Sequence, residues 1–390
     1  MLANIEGFIS QHITQRNTSL FQTDIAKNAQ KLSDEIEGKS VLVIGGAGTI
    51  GSSFIKALLP YCPGKLIVVD YSENGLTELT RDLRSEYNKF LPKKYITYPF
   101  DFGGEIFAKM FLENKFDIVA CFAAHKHVRS EKDHFAIEAM LKNNVINTSK
   151  LLDLCLQNKP QHFFCVSTDK AANPVNVMGA SKKLMENILL AYSRNLKIST
   201  ARFANVAFSN GSLLYGFNHR FSKRQALSSP KDVKRYFVSP SESGQLCLLA
   251  CILGNSGDIF YPNLNESQMM KFSTIAEKYL GELGYTPDYS DSEEEARIKS
   301  KNWRTSNSSY PVFFFDSDTS GEKMYEEFFT DSDAVDSERF KELGVINNNP
   351  KYTVENAREL LDKIMLLFDR KDLIKTDIIH FLNSVISDFN

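Results

Sequence analysis

Four consecutive residues, Ser167, Thr168, Asp169 and Lys170, carry two hydroxyls, a carboxylate and an amine directly after the apolar run QHFFCV. A carboxyl group beside an amine can serve as an acid and a base, because each holds or releases a proton within reach of one substrate. Their titrations are coupled, so the pair is better defined than the division of labour inside it. The plain alternative is a strand-end ion pair that does no chemistry. Twelve residues after Lys170, Lys182 follows Met178 by one helical turn in NPVNVMGASKK. A thioether neither takes up nor gives a proton, so Met178 contributes packing. Proton transfer in this region falls to its neighbours.

The stretch VLVIGGAGTIGSSF spaces Gly45, Gly48 and Gly51 three apart, and Gly46, Gly48 and Gly51 also fit G-x-G-x-x-G. Such a turn needs unusual backbone angles, close approach of a pyrophosphate to the main chain, and tight packing of helix on strand; glycine meets all three needs. The N–H groups of Thr49, Ile50 and Gly51, at the start of the following helix, suit a phosphate. Asp70 comes 19 residues after Gly51, at the end of KLIVVD. Its carboxylate suits a ribose 2′-hydroxyl and repels a 2′-phosphate, which favours NAD over NADP. Asp101, closing the next apolar run, suits an adenine or a turn equally well.

The elements that must position these residues follow from the pattern around them. Strand-like runs, KSVLVIGG, KLIVVD, KYITYPFD, FDIVACFAA, QHFFCVST and KISTARFAN, alternate with helical patterns, including one long helix over 134–158 and another carrying Lys182. Short, wholly apolar runs separated by helices imply right-handed crossovers and a parallel sheet covered on both faces. The expected class is α/β, a doubly wound parallel-sheet Rossmann domain with a smaller α+β substrate domain. The expected boundaries are an N-terminal helical extension over 1–37 and an NAD-binding domain over 38–210 with later pieces near 236–262. A discontinuous substrate-binding domain over 211–335 and a C-terminal helical tail over 336–390 complete the chain. The tail is expected to pack on the domain or on another subunit.

Composition narrows the function. The chain has 390 residues, 43% hydrophobic and 24% charged, as in an ordinary globular enzyme. Its 46 basic and 48 acidic residues leave a net charge of −2, which offers no general attraction for nucleic acid or an anionic membrane. No apolar run approaches the roughly 18 residues that span a bilayer, and the first residues lack a secretory pattern; a cytoplasmic protein is expected. The six cysteines form no C-x-x-C pair and read as buried free thiols. Cys247 and Cys251 share a helix face without a histidine beside them, so no metal site is expected.

Six ordered motifs, GGAGTIG, FAAHKHV, KNNVINT, VSTDKAANPVNVMGASK, RFANVAFSNGS and SGEKMYEE, span roughly residues 39–330. In them the chain resembles the extended short-chain dehydrogenase/reductase superfamily, and within it the bacterial UDP-N-acetylglucosamine 4,6-dehydratases of polysaccharide biosynthesis. Many relatives carry a tyrosine where this chain has Met178, although some of these dehydratases also have methionine. The resemblance implies a UDP-sugar substrate, NAD recycled in each turnover, and a homo-oligomer of two or more subunits. It implies that hydride leaves sugar C4, water is lost across C5 and C6, and hydride returns to C6. Asp169 is then the acid at O6, Lys170 the base at C5, Thr168 the partner of the 4-hydroxyl, and Lys182 the ligand of the nicotinamide ribose. Ala123 and Ala124 line the cofactor, Asn144 braces the fourth and fifth strands, and Lys126 or His127 faces the substrate. Asn205, Ser209, Gly211, Ser212, Arg235 and Glu322 with Lys323 match positions that hold the nucleotide sugar.

Two other readings share much of this. A nucleotide-sugar 4-epimerase uses the same fold and cofactor, but it needs a base at the 4-hydroxyl and has no use for an acid-base pair at C5 and C6. A non-catalytic NAD-binding regulator accounts for Met178 but not for Asp169, Lys170 and Lys182 together.

Overall fold

The structure, a computed structural model, describes residues 2, 4–317, 326–348, 352–386 and 389, with the backbone alone at 129. The apolar runs form a nine-stranded sheet. Its strands are β1 (Ser40–Ile44), β2 (Lys65–Val69), β3 (Lys94–Tyr98), β4 (Ile118–Cys121), β5 (His162–Val166), β6 (Ile198–Ala201), β7 (Asp258–Pro262), β8 (Val335–Asp336) and β9 (Leu343–Asn347). Every residue of β4 and β5 is buried, as is all of β1 and β2 after the first residue. Burial on both faces is what a parallel sheet covered by helices demands. The edge strand β3 is only half-buried.

The sheet order is β8-β9-β7-β6-β5-β4-β1-β2-β3. Pairings from β3 through to β7 are parallel, and β9 runs antiparallel to both β7 and β8. The order β3-β2-β1-β4-β5-β6 is that of a Rossmann fold, as expected. It reverses between β1 and β4, and sheets of this kind take ligands at that reversal, beyond the strand carboxyl ends.

The helices of this part are α1 (Gln22–Ile36), α2 (Thr49–Leu58), α3 (Glu73–Glu86), α4 (Glu105–Leu112), α5 (His134–Leu141), α6 (Asn147–Gln157), α7 (Val177–Tyr192), α8 (Pro240–Leu253), α9 (Val354–Phe368) and α10 (Lys375–Val385). The long helix expected over 134–158 is α5 and α6 joined by a π-helical turn, Lys142–Ile146. Such turns insert one extra residue and often mark functional positions; this one carries Asn144. The tail packs on its own chain: Ile364 of α9 and Ile378 and Leu382 of α10 lie in the same apolar core as Leu184 and Ile188 of α7. Full burial of each such side chain is worth about 1.5–3 kcal/mol.

The chain divides into two compact units, Met1–Leu20 with Ala204–Glu242 and Leu264–Glu326, and Phe21–Phe203 with Ser243–Asn263 and Glu327–Asn390. The second contains the large sheet. The N-terminal 37 residues are shared out: the helical turns over 5–14 belong to the first unit and α1 to the second. In the first unit, Phe8, Phe208, Phe217, Tyr279, Trp303 and Tyr310 share one core, beside a parallel three-stranded sheet of Leu227–Pro230, Thr286–Ser290 and Ser309–Phe315. Arg16 forks onto the buried Glu242 carboxylate at 2.9 and 2.8 Å, fastening the N-terminal segment to this unit.

Among the described residues no helix is long and apolar enough to cross a membrane, and no group of three or more His, Cys, Asp or Glu is placed to hold a metal. Five cysteines are buried free thiols; Cys62 departs from the expectation and is exposed. It sits in a turn at φ 54°, just after Pro60, where the chain leaves the helix for β2.

Candidate active site

The loops after β1 and β4 meet at the sheet reversal. Gly45 has φ +74°, and a Cβ there would lie 2.5 Å from the Ala123 nitrogen, so only glycine lets the two loops approach. At Gly51 a Cβ would overlap the Gly45 carbonyl oxygen. Helix α2 begins at Thr49 with extended Gly48 as its N-cap and no side chain capping it. First-turn N–H groups have no acceptor inside their own helix, and the positive end of the helix dipole favours an anion. Asp70 is buried, with Oδ2 accepting the Ala47 N–H at 3.0 Å and Oδ1 the Ser72 N–H at 2.9 Å. These bonds pin the carboxylate beside the glycine turn and leave it lone pairs for a diol. Thr49, Ile50, Ala123 and Ala124 are half-buried around the same reversal. The residues present fit a dinucleotide. Asp101 is exposed and accepts the Gly103 N–H at 2.9 Å, the arrangement of a turn aspartate.

Beyond the end of β5, Thr168 Oγ1 donates to Asp169 Oδ1 at 2.7 Å. Lys170 Nζ donates to Asp169 Oδ2 at 3.1 Å and Oδ1 at 3.3 Å. Asp169 is buried; Thr168 and Lys170 are half-buried. Two successive turns of α7 clamp this strand end. Lys182 Nζ donates to the Val166 carbonyl at 2.9 Å. One turn on, Glu186 accepts the Ser167 hydroxyl at 2.6 Å and both arms of an Arg202 fork at 3.0 and 2.8 Å. Burial pushes the Lys182 ammonium below its ordinary pKa, against the opposing pull of Cys165, Cys121 and Glu186. Burial alone would raise the Glu186 carboxyl, but the charge and hydrogen bonds of Arg202 outweigh it and hold the group below the usual carboxylate range.

Met178 is buried in the apolar core with Val177, Ala180 and Leu184. Asn144, on the π-turn, accepts the His125 N–H at 2.8 Å and donates to the His125 carbonyl at 2.9 Å and to Ser181 Oγ at 3.0 Å. It therefore bridges the loop after β4 to α7, where the sequence suggested a brace between β4 and β5; the π-turn aims it past the strand ends. Lys126 and His127 are exposed on that same loop.

Asn205, Ser209, Gly211, Ser212 and Arg235 belong to the first unit. Asn205 Nδ2 donates to the Glu326 carboxylate, which also accepts the Tyr236 N–H at 2.8 Å and lies 4.0 Å from Arg235 Nε. Ser209 is buried, Phe208 and Gly211 take left-handed conformations at φ 54° and 76°, and Ser212 caps the helix Leu213–Ser222 by accepting the Tyr215 N–H. Left-handed backbone at a non-glycine residue costs roughly 1–3 kcal/mol and tends to gather at binding loops. Glu322 and Lys323 lie outside the described residues. Glu326, four residues later in the same motif, is the carboxylate joined to Asn205, and the sequence reading missed it. Glu186 and Arg202 were missed too.

A family described as polysaccharide biosynthesis protein matches residues 41–348. A Methanocaldococcus jannaschii protein described as an uncharacterized membrane protein is 31% identical over 346 residues, 85% of this chain and 95% of that protein. The probable polysaccharide biosynthesis protein EpsC of Bacillus subtilis is 30% identical over 270 residues, 68% of this chain and 44% of EpsC, so the chain spans less than half of that relative. The UDP-N-acetylglucosamine 4,6-dehydratase (inverting) of Campylobacter jejuni is 27% identical over 250 residues, 61% of this chain and 70% of that enzyme. A double mutant of the dTDP-glucose 4,6-dehydratase DesIV of Streptomyces venezuelae, solved with NAD bound, shares the fold at a TM-score of 0.56 and 19% identity, over 74% of this chain and 87% of that one. The extent of the family match, together with the sheet order, shows that this chain belongs to the polysaccharide biosynthesis protein family, among the nucleotide-sugar dehydratases and epimerases of extended short-chain dehydrogenase/reductase fold.

Proposed function

We propose that this protein is a hydro-lyase that converts UDP-N-acetylglucosamine to a UDP-4-keto-6-deoxy-N-acetylhexosamine for surface glycan or polysaccharide synthesis. The observation that carries this reading is the hydrogen-bonded series Thr168, Asp169, Lys170 at the end of β5, while Met178 packs in the core with no proton to give. The glycine turn and Asp70 would hold NAD, which would supply a hydride acceptor for sugar C4 and a donor for C6. The proton of the 4-hydroxyl passes through Thr168 Oγ1 to Asp169, and Asp169 delivers it to O6, which departs as water. Lys170, as the free amine, takes the C5 proton and later gives one back to C5. The net loss is one water, and both side chains end as they began.

Lys182, held at the Val166 carbonyl, serves the nicotinamide ribose. The glycine turn and Asp70 hold the dinucleotide, with NAD preferred to NADP. Asn205, Ser209, Gly211, Ser212 and Arg235, with Lys126, His127 and Glu322, hold the nucleotide sugar; the fork of an arginine suits a diphosphate. The protein works as a homo-oligomer.

The test is to incubate purified protein with UDP-N-acetylglucosamine and no added cofactor, and to follow the sugar by NMR. A 4-keto-6-deoxy product supports the dehydratase. A 4-epimer would replace it with an epimerase, and unchanged substrate across a panel of UDP-sugars would sink both.

A further inference from the structure

Helix α10 lies beyond the family match, which ends at residue 348, yet it reaches the loop that follows β4. Lys375, its first residue, donates from Nζ to the backbone carbonyl of Glu131 at 2.6 Å. The Glu131 side chain reaches a different segment: Oε1 accepts the Met178 N–H at 2.7 Å and Oε2 the Val177 N–H at 3.2 Å. Val177 and Met178 open α7, and N–H groups there have no acceptor within the helix. Asn176 takes the next one, from Gly179, at 2.8 Å. A carboxylate at this end also complements the helix dipole.

One residue thus joins three segments: the loop over 122–131, the first turn of the helix that carries Lys182, and the tail. Asn144 already holds the middle of the loop at His125, so Glu131 supplies its second fixed point. The tail offers a firm base, because Ile378 and Leu382, one and two turns after Lys375, are fully buried in the core that α7 shares.

We propose that Glu131 and Lys375 are positioning residues that fix the 122–131 loop against the start of α7, so that turnover depends on a tail helix outside the family region. The turnover part rests on the dehydratase reading; the fixing of the loop does not.

The full-length protein is compared with Lys375→Met, Lys375→Arg and Glu131→Gln by hydrogen exchange over 122–131 and 176–180, and by turnover per folded molecule. In Lys375→Met and Glu131→Gln, exchange in both segments is expected to quicken about tenfold while the β1 amides stay protected. Turnover falls about tenfold, chiefly in kcat, because a displaced loop misaligns groups that still bind. Lys375→Arg restores both, since a guanidinium also donates to a carbonyl. Unchanged exchange in both segments overturns the proposal, as does loosened exchange with undiminished kcat. If Glu131→Gln fails to fold, Lys375→Met decides alone, since that side chain is half-exposed. A wild type that forms no keto sugar refutes the dehydratase reading, and the exchange comparison then decides the clamp by itself.

Discussion

The Thr168 hydroxyl donates to Asp169 Oδ1 at 2.7 Å, which gives the strand end a two-member path for a proton. Thr168→Val removes the hydroxyl and keeps the shape. Turnover should fall at least about 100-fold, in line with the loss of a proton-transfer group, while NAD still copurifies. Near-normal turnover would rule out this path for the 4-hydroxyl proton.

Lys182 is a buried ammonium whose pKa is lowered from 10.5, first by desolvation. Between the lowered native value and 10.5 the unfolded chain binds more protons, so wild-type stability rises with pH across that window. Below it, the full cost of burying the charge is present. Lys182→Met should therefore match or exceed the wild type at neutral pH, by about 1 kcal/mol or more, and lose that advantage as pH approaches 10.5, with turnover abolished throughout. Urea titrations at several pH values check the trend; an advantage that grows with pH would contradict it.

Arg202 and Glu186 are both about 1% exposed, so removing Arg202 leaves Glu186 a buried charge without its guanidinium partner. Arg202→Met should cost about 3–5 kcal/mol in urea unfolding, and the double variant Arg202→Met with Glu186→Leu clearly less. Because the native Glu186 pKa lies below 4.5, its contribution is complete above 4.5 and is lost as pH falls through the lowered native value. A double variant that loses as much as Arg202→Met alone would show that the unpaired Glu186 charge is not the source of the cost.

Gly45→Ala puts a side chain on a residue at φ +74° and against the Ala123 backbone nitrogen. Strain of this kind costs about 1–3 kcal/mol. The variant should melt lower and emerge from purification without NAD; an undiminished cofactor content would count against the placement of the pyrophosphate at this turn.

What was legible in the sequence is what neighbouring residues decide together. The runs VLVI and FFCV announce strands buried on both faces, and the glycine turn and STDK follow them directly, so the parallel sheet and the strand ends that carry these two motifs could be read from local pattern. What escaped depends on partners far apart in the chain. Glu131 meets Met178 47 residues away, and Glu326 meets Asn205 across 121; periodicity carries no record of such pairs. The antiparallel β9, LGVIN, falls in a stretch that reads as tail because its pairing partner β7 is about 85 residues earlier, as Phe260 opposite Val345 shows. The N-terminal extension looks like one segment for the same reason, since only tertiary contacts separate its two parts.

The π-turn at Lys142–Ile146 has a consequence for how this chain can change. At 3.6 residues per turn, one surplus residue rotates everything after it by about 100°. The turn lies between the buried face of α5, with Ile137, Met140 and Leu141, and that of α6, with Leu151, Leu152 and Cys155. Deleting one residue between 142 and 146 would heal the helix into regular geometry and swing Asn144 away from His125. The most regular form of this helix is thus the one that disarms the loop it serves, and the irregularity is the part that descendants of this sequence must keep.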